Sequence, residues 1–169
     1  MTSWSGVPFD RRSLAVALAV VCAGIAGCAS YGPGPLQAGD TEAAVVARMG
    51  VPTERVKRDG GERLVYARGP MGRETWMVNV GADGRVSGIY QALVPQRMAE
   101  VVPGMSEAAL LDWLGPPAER RRLGLQGRQL WAWRYPTNEC FWFQVTLTAA
   151  GNVMDAGYGI DPMCDVRHE

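Results

Sequence analysis

The chain has 169 residues, with 17 basic and 17 acidic side chains, so its formal charge is zero. Zero net charge gives no electrostatic footprint for nucleic-acid binding. Its one histidine, His168, stands beside the last residue and reads as a solvated tail, and no HExxH, CxxC, Ser/His/Asp set or phosphate-cradling glycine loop occurs. These absences predict a non-enzyme with no cofactor and no metal.

In chain order, Arg11 and Arg12 precede an uncharged run from Leu14 to Ala26. A membrane-spanning helix needs about 20 apolar residues, and this run is too short. A basic segment, a short apolar stretch and then small residues describe a secretory signal that is cleaved. Ile25-Ala26-Gly27-Cys28 reads aliphatic, small, small, cysteine, which resembles the bacterial lipobox. That assigns residues 1–27 to a lipoprotein signal peptide and makes Cys28 the acylated first residue of the mature chain. Cys22, among bulky neighbours, is discarded with the signal. The alternative is an ordinary signal peptidase site near Ala26. Subtracting 27 from 169 leaves 142 mature residues, enough for one modest domain or two very small ones. Residues 28–35, rich in glycine and proline, read as a tether.

Two copies of one pattern follow, residues 36–93 and 94–160. Gly39, Thr41, Glu42, Gly50 and Pro52 match Gly104, Ser106, Glu107, Gly115 and Pro117, each pair 65 positions apart. Tyr66, Trp76, Val78, Val80, Gly84 and Val86 match Trp133, Phe143, Val145, Leu147, Gly151 and Val153 at a spacing of 67. Two extra residues are thus expected in the second copy, in the loop after Pro117. Thr41 and Ser106 are N-cap residues, Gly50 and Gly115 helix stops, and Pro52 and Pro117 prevent resumption. Alternation then predicts three strands per copy: GERLVYARG, ETWMVNV and RVSGIYQAL, then RQLWAWRY, CFWFQVTL and NVMDAGYG. Turns are expected at Ala82-Asp83-Gly84 and Ala150-Gly151-Asn152, and a short helix at Gln96 to Val101.

Period-two alternation places Trp76, Val78 and Val80 on one face, and Phe141, Phe143, Val145 and Leu147 on another. With Leu64, Tyr66, Trp131 and Trp133 they form the surfaces on which the helices lie. Trp142 points the other way with Cys140 and Gln144. It is covered by the partner repeat, covered by the C-terminal tail, or exposed as a candidate partner-binding residue. The basic cluster Arg120, Arg121, Arg122 reads as a solvated loop. Residues 161–169 form a tail, which turns at Pro162 and brings Cys164 toward Cys140. An exported chain meets an oxidising compartment, so these two are expected to form a disulfide; buried free thiols are the alternative.

VVPGMSEAALLDWLGPP, continued by QLWAWRY and VTLTAAGNV, resembles the SmpA/OmlA (BamE-like) family of outer-membrane lipoproteins. In tandem, such units also resemble the architecture of β-lactamase inhibitor protein, which binds its target across a concave sheet. The resemblance spans about residues 36–160 and implies an α+β fold, two tandem BamE-like repeats, each with one or two short helices packed on a three-stranded antiparallel sheet. It also implies an outer-membrane lipoprotein facing the periplasm, anchored in the bilayer through Cys28, with a periplasmic or outer-membrane protein as partner. Ala29, rather than Asp, after the lipidated cysteine looks like the pattern for onward export. The role implied is scaffolding or envelope maintenance linked to outer-membrane β-barrel assembly. The alternative is a β-lactamase-inhibitor-like binding module for a periplasmic protein or ligand.

Overall fold

A computed structural model describes residues 32–68, 72–124, 126–135 and 140–161. The signal segment, Cys22, Cys28, Cys164 and His168 lie outside the described residues. The first copy runs α1 (Glu42–Met49), β1 (Glu54–Arg58), β2 (Gly61–Arg68), β3 (Glu74–Gly81) and β4 (Val86–Gln91). After α2 (Pro95–Ala99), the second runs α3 (Glu107–Leu114), β5 (Glu119–Leu123), β6 (Arg128–Arg134), β7 (Phe141–Leu147) and β8 (Val153–Ile160). The fold is α+β, with two four-stranded antiparallel sheets in the orders β1-β2-β3-β4 and β5-β6-β7-β8. Among the described residues the two sheets share no ladder.

The cap chemistry acts as the sequence predicts. Thr41 Oγ1 accepts from the Ala44 amide and Ser106 Oγ from the Ala109 amide, both at 3.2 Å. Gly50 and Gly115 end their helices with φ of 77°, and each amide returns to a helix carbonyl at 2.8 Å. Each helix start is also stitched to the turn between the last two strands of its sheet. Glu42 N–H donates to Gly84 O at 3.0 Å, and Glu107 N–H to Gly151 O at 2.7 Å. A bulge recurs at the matched positions Asn79/Val80 and Thr146/Leu147.

Three strands per copy were expected and four are present. The additional strands, β1 and β5, are sheet edges, and four of their five residues are charged (Glu54-Arg-Val-Lys-Arg58 and Glu119-Arg-Arg-Arg-Leu123). Charged side chains on an edge discourage pairing with other chains, and they also erase the hydrophobic alternation that reveals a strand. Arg120, Arg121 and Arg122 therefore form a strand instead of a loop, and the Arg120 guanidinium lies 4.2 Å over the Trp131 ring. The two extra residues fall later than expected. Arg58 pairs with Gly61 across a two-residue turn, whereas Leu123 pairs with Arg128 across four residues.

Two cores result. Val45 and Met49 of α1 pack on Leu64, Tyr66, Val78, Val80 and Val86. Leu110 and Leu114 of α3, with Met98 of α2, pack on Trp131, Trp133, Phe143, Val145, Leu147 and Val153. The first sheet is buried on its other face too. Val65, Thr75 and Met77 point away from α1 and are buried. A Cβ placed on Gly115, at the end of α3, would come within 2.8 Å of Thr75 Cγ2 and 3.3 Å of Met77 Cε. So the helix of the second copy docks against the sheet of the first.

Candidate functional site

That docking leaves a cleft of about 360 Å³ between the first sheet and α3. Val56, Val65 and Met77 line it from the sheet, and Ala108 and Leu111 from the helix. Alternation explains the sheet side, because Val56, Arg58, Arg63, Val65 and Met77 all point away from α1. Helical spacing explains the other side. Leu110 and Leu114 turn into their own sheet, so Ala108, Leu111 and Asp112 face the neighbouring copy.

Charged groups hold the rim. Arg63 Nη1 donates to Asp112 Oδ1 at 2.8 Å and to Asp112 O at 3.0 Å, while Nε donates to Asn79 Oδ1 at 2.8 Å. Arg58 pairs with the same Asp112 carboxylate. Burial lowers the Arg63 pKa from its ordinary value, because the charged form loses hydration at this junction. Next to it, Arg97 of α2 is stacked 3.6 Å over the Trp113 ring and 4.9 Å from the Tyr90 ring centre. Arg97 Nη2 donates to Trp113 O, and Trp113 Nε1 donates back to Arg97 O, both at 2.8 Å. An apolar floor with a guanidinium and carboxylate rim suits a protein or ligand that presents an apolar group beside polar atoms. Among the described residues no group of three or more His, Cys, Asp or Glu is placed to hold a metal. Among them, too, no helix is long and apolar enough to cross a membrane.

Trp142 is not a surface residue. It is 4% exposed on the sheet face opposite the helices, with the Arg134 guanidinium 5.1 Å over its ring. Arg134 Nη1 lies 3.7 Å from Asp161 Oδ2, and buried Asp161 donates its amide to Cys140 O at 2.7 Å. The candidate partner-binding role for Trp142 is therefore corrected: its ring is stacked under Arg134 and has no free face to offer. Its Nε1 is buried without a hydrogen-bond partner.

The large exposed apolar residues of the second sheet lie on the helix side of that sheet, at its far end. Phe141 is 41% exposed, Tyr158 53% and Ile160 65%. Phe141 was expected within the helix-covered stripe, but α3 stops short of it. Tyr135 packs edge-on against both Phe141 and Tyr158, with ring centres 6.5 and 5.2 Å apart. Burial among these rings raises the Tyr158 pKa, and Tyr135 adds to the effect. A comparison of the copies could have found this patch. At the spacing of 67, Tyr135, Phe141 and Tyr158 stand where the first copy has Arg68, Glu74 and Gln91. The fold does not require aromatic residues there.

No family model and no curated protein matches the chain. Among solved structures it is similar to a DUF4309 family protein (YjgB) from Bacillus subtilis subsp. subtilis str. 168, at 15% identity, covering 78% of this chain and 85% of that one. The TM-score is 0.30, and a likeness of that order supports neither a family nor a function.

Proposed function

We propose that the chain is a lipoprotein anchored in the outer membrane through acylated Cys28, facing the periplasm, where it binds protein as a scaffold in envelope maintenance. The observation that carries binding over catalysis is the cleft between the copies. Its floor is apolar, and Asp112 on its lining is engaged with Arg58 and Arg63, which leaves Glu54 as the remaining charged group there. Among the described residues no free acid–base pair faces the cleft. Anchoring rests on the lipobox and on Ala29 after it. The link to β-barrel assembly rests on the SmpA/OmlA resemblance of the helix-stop and strand pattern.

Crosslinking and pull-down from membranes tests this reading. Ala108→Arg places a charge on the cleft floor from the exposed flank of α3, and it should abolish capture while leaving the fold intact. Components of the barrel assembly machinery in the wild-type capture, absent from the variant, are the expected result. Capture that is indifferent to Ala108→Arg overturns the cleft as the site. A soluble hydrolase as the captured protein favours the inhibitor-like module.

A further inference from the structure

The two sheets have four edges, and they are not equally protected. β1 and β5 carry the charged runs described above. β4 is half-buried along most of its length. β8 is different: Asp155, Ala156, Gly157 and Tyr158 are exposed in succession, and Asp155 is the only charge between Val153 and Ile160. Long exposed edges without Lys, Arg or Pro are templates for pairing with another strand.

The ladder identifies which groups face outward. Asp161 N–H donates to Cys140 O at 2.7 Å, and Tyr135 N–H to Phe141 O at 2.9 Å. With Phe141 paired to Ile160 and Phe143 to Tyr158, antiparallel alternation turns the N–H and C=O groups of Ala156, Tyr158 and Ile160 away from β7. Among the described residues no other strand or loop pairs with these groups.

We infer that β8 is a self-association edge, which pairs antiparallel with β8 of a second copy of this chain about a two-fold axis at Gly157. The sequence of the edge accommodates this partner and register. With Gly157 opposite itself, the outward-bonding residues Tyr158 and Ala156 face each other across the axis, a large ring over a small side chain. Asp155 then faces Gly159, so no like charges meet. A shift to Tyr158 opposite Tyr158 would instead set Asp155 against Asp161 of the other copy, which is repulsive. Pairing would also bring the exposed Tyr158 rings of the two copies within two strand positions of each other, on one face of the joined sheet. Cβ atoms at Gly157 meet nothing within 4 Å, so the axis is sterically open.

The full chain in detergent tests this inference by sedimentation and by positional crosslinking. Wild type should sediment with twice the chain mass, and Ala156→Lys, which places a charge on the exposed edge, with the mass of one chain and an unchanged circular dichroism spectrum. Gly157→Cys should trap a disulfide-linked dimer on a non-reducing gel, since directly opposed non-hydrogen-bonded residues have Cα atoms about 4.5 Å apart. Gly159→Cys should not. A wild type of single-chain mass at every concentration, with or without a bound foreign peptide, overturns the inference. So does a dimer that survives Ala156→Lys, which decides the matter even if the cysteine variants fail to fold.

Discussion

Trp133 donates from its indole Nε1 to the carbonyl oxygen of Gly115 at 3.1 Å, tying an inner strand of the second sheet to the stop of the helix that lies on it. In the first copy Tyr66 does the same work, its hydroxyl donating to Gly50 O at 3.1 Å. Carbonyls in the last turn of a helix lack helical partners, and here an aromatic donor from the sheet satisfies one. The Trp133 bond is buried and the Tyr66 bond is only partly so. Replacing the donor should therefore cost more in the second copy. Trp133→Phe should lose about 1–3 kcal/mol or more, because a buried acceptor is left unpaired, and Tyr66→Phe about 0.5–1.5 kcal/mol. Urea unfolding of both variants checks the order; a larger loss for Tyr66→Phe contradicts it.

Gly115 has a second burden that Gly104 does not share. Both have positive φ, 77° and 90°, but a Cβ on Gly104 meets nothing within 4 Å, whereas one on Gly115 meets Thr75 Cγ2 at 2.8 Å. Gly104→Ala should show the backbone cost alone, on the order of 1 kcal/mol. Gly115→Ala should cost about 1–3 kcal/mol beyond that, by crowding the contact between the copies. Thr75→Ala removes the clashing methyl and should restore part of the loss when combined with Gly115→Ala. If Gly104→Ala and Gly115→Ala melt together, α3 does not dock on the first sheet as described.

What could be read from the sequence was local. Ser or Thr caps, glycine stops and period-two alternation are each set by a few neighbouring residues, so α1, α3 and six strands form where the pattern predicts. β1 and β5 were hidden because edge protection replaces alternation with charge on both faces. The burial of Trp142 was hidden for another reason. It depends on Arg134, and on Asp161 across the sheet, a relation no spacing rule encodes. The cleft exists only because α3 of one copy lies against the sheet of the other. A reading that treats each copy alone cannot contain it.

Lipidation is the premise of the membrane assignment, and it hangs on Cys28. Metabolic labelling with a palmitate analogue should mark the wild-type protein and fail for Cys28→Ala, which should leave the membrane fraction. Cys22→Ala should label normally, since that residue falls inside the apolar run. Equal labelling of Cys28→Ala, or loss only with Cys22→Ala, removes the anchor from the proposal.

Cys140 is the one non-glycine residue with positive φ among those described, at 57°. A left-handed conformation at a residue with a Cβ costs on the order of 1–3 kcal/mol and persists only where surrounding bonds impose it. Two features impose it here. The Cys140 carbonyl accepts from Asp161 at 2.7 Å, and the residue is disulfide-bonded. Cys164 is the proposed partner: the proposed function places Cys28 in the anchor and Cys22 in the signal, and Cys164 follows Asp161 by three residues in the sequence. The bridge closes a loop of 24 residues, 164 minus 140, for which the chain-entropy account gives about 3 kcal/mol. Cys140→Ser and Cys164→Ser should each lose about that much, and the double variant no more than either alone. Adding Cys140→Gly to Cys164→Ser should recover about 1 kcal/mol, since glycine adopts positive φ freely. Mass spectrometry of unreduced protein should find one linked peptide pair. Two freely alkylatable cysteines in protein taken from the periplasm would end the pairing, and the strain at Cys140 would then rest on Asp161 alone.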